Sequence, residues 1–222
     1  MELNETRAWT KYYTAGTPMD IPPVEGSLPS LLEDAAERYG NRPAMVFFNR
    51  ETSYRRLFDE VLRVAHGLQR LGVKAGDRVA LVLPNSPQHV IAFYAVLRLG
   101  AIVVEHNPLY TPHELEVQLK DHSAKVVIAW DKSAGKVLEL KDKLGLEHII
   151  SVDITRGMPL TTQIALRLPV KKAKASRAKL TQAAPETMPF TELQRSSRLP
   201  ASVPMPATDD LAIIQYLSLI HI

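Results

Sequence analysis

Residues 76–108 read GDRVALVLPNSPQHVIAFYAVLRLGAIVVEHNP, and this stretch decides the fold. The apolar run at residues 78–83 is typical of a buried strand. Ser86 then offers an N-cap hydroxyl and Pro87 suits the first helical position. A second continuous apolar run, at residues 101–104, predicts a strand covered on both faces. A helix between two such strands predicts parallel neighbours, and the spacing of one helical face is met by Val90, Phe93, Tyr94 and Leu97.

The same alternation of strands and helices extends on either side of this unit. Thr111 and Glu114 form a capping-box pattern that begins another helix. Alternation from residue 44 to residue 154 predicts an α/β fold, with a partly parallel sheet and helices on both faces. Further helices are predicted at residues 28–39, from the N-cap Ser53 to Leu71, and at 133–144, and further strands at 44–48, 51–53, 125–130 and 148–154.

The composition excludes several classes of protein. The chain has 222 residues, 45% hydrophobic and 23% charged, as in globular proteins with a sizeable core. It has no cysteine, which excludes disulfides, thiol nucleophiles and cysteine metal sites. A net charge of +3 is too small to indicate a nucleic-acid partner. Because neither an apolar signal segment nor an apolar run of about 18 residues is present, we expect a cytoplasmic protein.

Few side chains in the sequence suggest chemistry. His106 beside Glu105 follows a predicted strand, where ligands bind in α/β sheets, but we favour a structural or surface role for it. Ser86 lacks the G-x-S-x-G context of a nucleophile, and helix capping accounts for it. Neither common glycine-rich phosphate loop occurs. We assign no catalytic residue and no metal ligand, and we interpret a group of arginines as a solvated helix face: Arg55, Arg56, Arg63 and Arg70.

A basic segment follows the alternating region. Residues 156–179 contain seven basic side chains and no acidic one, with apolar residues interleaved. Two interpretations stay open: peripheral contact with an anionic membrane surface, or a solvated excursion, which is the commoner role of a charge run. Residues 184–208 contain five prolines and are typical of an extended linker, with one helical turn predicted at 190–193. Residues 209–216, DDLAIIQY, return to strand character.

Several blocks resemble a known superfamily. PAMVFF at residues 43–48 and the long block at residues 53–119 are similar to the N-terminal part of adenylate-forming (AMP-dependent) synthetases and ligases. Within that superfamily, VVEHNPLYTPHELE at 103–116 and LRLPVKKAKASRAKLT at 166–181 most resemble bacterial long-chain fatty-acid–CoA ligases. The resemblance extends from about residue 28 to residue 216. It implies that the chain is the N-terminal, truncated portion of the adenylate-forming fold.

The resemblance also implies an activity. Such a ligase joins a fatty acid to coenzyme A through an acyl-adenylate, using ATP and Mg²⁺, in the cytoplasm or at the inner face of the membrane. Two alternatives use the same fold: an aryl or short-chain acid–CoA ligase, and an adenylation module that loads a carrier protein. A third alternative is a non-catalytic α/β interaction domain. The oligomeric state does not follow from the sequence.

The chain departs from the family pattern after Tyr216. In the family, a loop of the type T-S-G-T-T-G-x-P-K-G follows here. Ser218 fits that loop and is the one nucleotide-binding candidate, whereas Leu217 and Leu219 stand where threonine and glycine belong. A glycine there lets backbone N–H groups approach phosphate oxygens. We therefore expect LSLIHI to be a foreign tail from a frameshift or a truncated read, and we expect this chain alone to be inactive.

These observations predict how the chain is organised. We expect an irregular leader, an α/β subdomain, an excursion that is first basic and then Pro-rich, a strand that leads to the phosphate loop, and a non-family tail. The corresponding residues are 1–26, 27–155, 156–208, 209–216 and 217–222.

Overall fold

The computed structural model describes residues 7–21 and 25–216. Within these residues, strands form a six-stranded sheet and a separate two-stranded hairpin. The strands are Pro43–Phe47 (β1), Arg50–Ser53 (β2), Arg78–Val82 (β3), Ile102–Glu105 (β4), Val126–Trp130 (β5), His148–Val152 (β6), Met188–Pro189 (β7) and Ile213–Gln215 (β8).

Helices connect the strands. In the described part of the chain, none of them is long and apolar enough to cross a membrane. Short 3-10 helices lie at Ala8–Tyr12 and Ile154–Gly157. The α-helices are Leu28–Tyr39 (α1), Tyr54–Arg70 (α2), Pro87–Arg98 (α3), Pro112–His122 (α4), Asp131–Leu138 (α5), Lys141–Leu144 (α6), Leu160–Arg167 (α7), Lys171–Leu180 (α8) and Phe190–Gln194 (α9).

The six-stranded sheet has the order β7-β6-β5-β3-β4-β8, and every neighbouring pair in it is parallel. The predicted strand–helix–strand unit is confirmed as β3, α3 and β4, with Arg78 opposite Ile102. The antiparallel pair is the hairpin of β1 and β2, which lies outside this sheet. The predicted fold class is therefore confirmed.

Helices cover both faces of the sheet. Successive residues of β3 point to opposite faces, so Leu81 joins the cluster packed against α2 and α3, whereas Val82 joins the cluster packed against α4 and α5. Both side chains are fully buried. Two-sided burial explains why these strands are continuous apolar runs.

The buried face of α3 differs from the predicted one. The stripe predicted on α3 is only half-buried at Val90, Phe93 and Tyr94. The buried face consists of Ile91, Ala92, Ala95 and Val96, which belong to the same core cluster as the buried residues of α2. The sequence pattern favoured the larger side chains, whereas the structure buries the face that carries the two alanines.

The helix predicted at residues 133–144 is two helices. It begins earlier, at Asp131, and breaks at Glu139 and Leu140. At the break, the N–H of Leu140 donates to the carbonyl of Val137 at 3.1 Å. This tighter turn places Leu140, which is only 5% exposed, in the core beside Leu146.

The segment from residue 156 to residue 208 contains regular structure. The basic part forms α7 and α8. In the Pro-rich part, β7 pairs in parallel with β6 at the edge of the sheet. The helical turn predicted at 190–193 is confirmed as α9, and the strand predicted at 209–216 is confirmed over Ile213–Gln215.

Two glycines allow close contact on either side of the basic segment. A Cβ added at Gly67 in α2 would lie 2.9 Å from the Cα of Leu193 in α9. A Cβ added at Gly157 would lie 3.2 Å from the ring carbons of Pro87, at the start of α3. The chain is thus held against α3 just before α7, and against α2 after α8.

The Gly67 contact predicts a destabilising substitution. We expect Gly67→Ala to lower the free energy of unfolding by about 1 to 3 kcal/mol, because the new methyl group meets backbone that cannot rotate away. Gly135→Ala is the matched control, since Gly135 also lies in a helix but has no atom within 4 Å of its added Cβ.

The control should stabilise the protein by roughly 0.5 to 1 kcal/mol, because alanine favours helix over glycine. Urea unfolding followed by circular dichroism measures both changes. Equal effects of the two substitutions would contradict the close approach of α2 and α9.

Candidate functional site

The carboxyl ends of the parallel strands meet at one edge of the sheet, which is where ligands bind in open α/β folds. Glu105 is the last residue of β4 and pairs in register with Gln215 of β8. The next residues, His106 and Tyr216, therefore lie side by side at this edge. Their rings stack with centroids 5.8 Å apart and planes inclined by 23°.

The loop after β3 contributes no reactive group to this edge. The Ser86 hydroxyl accepts a hydrogen bond from the N–H of His89 at 3.2 Å, as a helix N-cap does. The side chain is buried, at 6% exposure. The predicted capping role of Ser86 is therefore confirmed.

Glu105 pairs with a residue that the sequence did not suggest. The Nε2 atom of His89 donates to both carboxylate oxygens of Glu105, at 2.9 and 3.1 Å. His89 lies in the first turn of α3 and Glu105 at the end of β4. The pair ties the start of the crossover helix to the end of the next strand.

A chain of hydrogen bonds fixes the protons of two buried histidines. The N–H of Ala124 donates to Nδ1 of His122 at 3.2 Å, so that nitrogen carries no proton. His122 then donates from Nε2 to Nε2 of His106 at 3.0 Å. His106 in turn donates from Nδ1 to the amide oxygen of Gln118 at 2.7 Å. Both imidazoles are neutral in this arrangement.

Burial and the neighbouring ring favour the same neutral state. Desolvation lowers the pKa of His106. Desolvation, followed by the charge of His106, lowers the pKa of His122 to about 4. Two cationic rings in contact would repel each other inside the protein. The structural or surface role predicted for His106 stays a prediction, and its buried, paired ring agrees with the structural alternative.

Tyr216 completes the cluster. Its hydroxyl donates to the carboxylate of Asp121 at 2.6 Å. Burial, together with this hydrogen bond to Asp121, raises the pKa of Tyr216 to about 12. The phenol therefore stays neutral and holds the end of β8 against the end of α4. Ser218, the one predicted nucleotide-binding residue, lies outside the described residues.

The cluster lacks the elements of phosphate or metal chemistry. In the described residues, no group of three or more His, Asp or Glu side chains is placed to hold a metal ion. The loop Pro84–Asn85–Ser86 has no glycine that would open its backbone to a phosphate. These residues do not fit Mg²⁺ or a nucleotide, and we assign neither to them. The cluster instead anchors the strand that leads towards Ser218.

A second polar region lies beside α2. A cavity of about 510 Å³ is lined by several arginines, among them Arg50, Arg56 and Arg63. Arg63 bonds Asp59 at 2.8 Å, Arg56 lies 3.7 Å from Glu60, and Arg50 donates to two backbone carbonyls. Because these three are already paired, we assign no ligand to the cavity. The predicted solvated face is confirmed for the exposed members, Arg55, Arg56 and Arg70, whereas Arg63 is half-buried.

Sequence reasoning missed the pairing of His106 with His122 and Tyr216. These residues come from β4, α4 and the end of β8, separated by up to 110 positions along the chain (216 − 106). The signal that would have found the cluster is strand order, because it places β8 next to β4.

The histidine cluster predicts how stability depends on pH. The pKa of His122 falls from 6.5 to about 4 on folding, so between these values the unfolded chain binds a proton that the folded chain excludes. Stability is therefore complete above pH 6.5 and is lost as the pH falls. Near His122 lie His106, Asp121 and Arg78. From pH 7 to pH 5, we expect about 1 to 2 kcal/mol of this loss from His122.

Urea unfolding at several pH values measures this dependence. His122→Gln should lower stability at pH 7 and flatten the slope between pH 5 and pH 7. His113→Gln is the matched control, because His113 lies on the same helix but is exposed. A slope that His122→Gln leaves unchanged would contradict the neutral histidine pair.

Solved structures share this architecture. The crystal structure of the anthranilate CoA ligase AuaEII in complex with anthranoyl-AMP matches with a TM-score of 0.69 and 23% identity, over 88% of this chain and 32% of that chain. A long-chain-fatty-acid–CoA ligase from Archaeoglobus fulgidus matches with a TM-score of 0.66 and 22% identity, over 93% and 37%. At these identities, the likeness shows the fold alone.

Sequence comparison shows the family. A long-chain-fatty-acid–CoA ligase of Salmonella typhimurium is 35% identical over 213 residues, which make up 95% of this chain. The chain spans 38% of the length of that relative. Residues 32–218 match the family described as AMP-binding enzyme. The resemblance to adenylate-forming enzymes is thereby confirmed, and the chain belongs to the AMP-binding enzyme family.

Proposed function

We propose that this chain supplies the N-terminal part of a long-chain fatty-acid–CoA ligase. The observation that carries the proposal is the similarity to the Salmonella typhimurium ligase, which extends over almost the whole chain. The sheet supports it, because β8 ends at the edge where α/β proteins bind their ligands.

In the proposed reaction, the carboxylate of the fatty acid attacks the α-phosphate of ATP. An acyl-adenylate forms and pyrophosphate leaves. The thiol of coenzyme A then attacks the acyl carbon, the thioester forms and AMP leaves. Mg²⁺, when bound, would neutralise phosphate charge. We propose that residues other than the described ones make the contacts to phosphate and Mg²⁺.

The part that we propose for this chain is positioning. Two interactions fix the exit of β8: Tyr216 bonds Asp121, and its ring stacks on His106. A phosphate-binding loop that follows β8 needs such an anchor, because backbone N–H groups bind phosphate only at well-defined positions. The rigid cluster therefore supports binding without taking part in bond making.

A second candidate is an aryl acid–CoA ligase. The anthranilate CoA ligase has the same architecture over most of this chain, so the scaffold fits either substrate. The acid that stimulates adenylate formation separates the two candidates. For the long-chain enzyme, we propose a cytoplasmic location at the inner face of the membrane, where long-chain acids partition.

Pyrophosphate exchange tests the proposal. We expect the 222-residue chain, incubated with ATP, Mg²⁺ and labelled pyrophosphate, to show no exchange with any acid, because its described residues contain no phosphate loop. A chimera in which residues 28–216 replace the equivalent part of the Salmonella typhimurium ligase should restore exchange that depends on palmitate.

The positioning role is tested by the same chimera carrying Tyr216→Phe, which keeps the ring but removes the hydroxyl that holds Asp121. We expect this variant to remain folded and to exchange pyrophosphate more slowly than the unsubstituted chimera, which serves as its control. A folded chimera without palmitate-dependent exchange would contradict the proposed function. Turnover by the isolated chain would refute the division of roles proposed above.

A further inference from the structure

Helices α7 and α8 form a hairpin whose apolar side chains lie in solvent. Leu160 and Ile164 are 70% and 56% exposed, and Leu168 and Val170, in the connection between the helices, are 50% and 52% exposed. Leu160 and Ile164 lie at i and i+4, so they form one apolar stripe along α7, and Leu168 follows directly after the last helical residue. Such a stripe on a surface helix usually faces a partner.

Exposed basic side chains lie on the second helix of the hairpin, α8. Ala173 is the buried residue of α8, and Lys171, Lys172 and Lys179 are exposed around the helix. Among the described residues, none of these three lysines is within salt-bridge distance of a carboxylate. The charge of the hairpin is therefore available to an external anion.

A cleft between the two helices collects more positive charge. Its volume is about 380 Å³, and it is lined by Arg167 of α7 and by Lys174 and Arg177 of α8. Asp153 is the acidic residue in its wall. Asp153 already accepts hydrogen bonds from the backbone and hydroxyl of Thr155. The cleft suits a phosphate-sized anion, because Arg donors match phosphate oxygens.

We propose that the α7–α8 hairpin docks on an anionic lipid bilayer, with its exposed apolar stripe in the headgroup–acyl boundary and its basic side chains on lipid phosphates. Interfacial helices combine these two features. Membrane binding is inferred from the hairpin alone. The purpose of this binding, which is to collect a long-chain acid from the membrane, rests on the proposed function.

The observations favour a lipid over other partners. A nucleic acid would draw on aromatic side chains for stacking, and residues 156–189 contain none. A purely solvated excursion would not leave four large apolar side chains at least half exposed within eleven residues (160–170). The hairpin is also anchored at both ends, at Gly157 and at Leu193, so docking need not disturb the sheet.

Vesicle co-sedimentation of the 222-residue chain tests the docking. Binding should increase with the phosphatidylglycerol fraction in phosphatidylcholine vesicles and decrease with salt. Lys171→Gln with Lys172→Gln should weaken binding about ten- to thirty-fold, since each surface cation near an anionic membrane contributes roughly a factor of five. Leu160→Gln with Ile164→Gln should weaken it as well, because the apolar stripe is lost.

The matched control is Lys120→Gln with Lys141→Gln, which removes the same charge from exposed positions outside the hairpin. It should leave binding unchanged. Circular dichroism confirms that each variant is folded. Equal losses in the control and the hairpin variant, or binding that ignores both phosphatidylglycerol and salt, would overturn the proposal.

Two further outcomes are decisive. Displacement from vesicles by inorganic phosphate, beyond that of chloride at matched ionic strength, would reassign the cleft to a free phosphate and overturn lipid docking. Vesicle binding and pyrophosphate exchange are separate measurements. If the chain fails to bind vesicles while the chimera exchanges pyrophosphate, the membrane docking alone is refuted. If the chain binds vesicles while the chimera shows no exchange, the proposed ligase function alone is refuted.

Discussion

Two-sided burial of the parallel sheet is the constraint on which the rest of the structure depends. A parallel sheet of this kind is stable only when apolar side chains cover both faces. Leu81 and Val82, neighbours in β3, are both fully buried, on opposite faces. Every crossover must therefore supply a helix with an apolar face, which is why the chain alternates so regularly from β3 to β6.

The same topology brings polar residues together at one edge. Strands that run in one direction end at one side, so β4 and β8 place His106 beside Tyr216. Buried polar groups are tolerated when each one has a partner. The Ala124–His122–His106–Gln118 chain meets that requirement without a charge. The result is a rigid support at the exit of β8.

Local signals in the sequence were sufficient for most of the scaffold. Ser53, Ser86 and Thr111 each cap the helix that they were predicted to begin, because a cap depends on residues only three positions apart. The break at Leu140 could not be predicted in this way, because it depends on packing in the core. The His106 cluster could not be predicted either, because it depends on strand order. The exposure of the α7–α8 hairpin could not be predicted, because it depends on which surfaces the other helices cover.

The glycines at positions 67 and 157 have a consequence for how this protein can change. They clamp the chain where it leaves the sheet and where it returns, at Pro87 and at Leu193. Between these two contacts, α7 contains no buried residue and α8 contains one, Ala173. The two helices therefore add little to the core, although Thr181, directly after α8, still bonds Asp131. Mutation or recombination can lengthen or recharge these helices while the sheet is inherited intact.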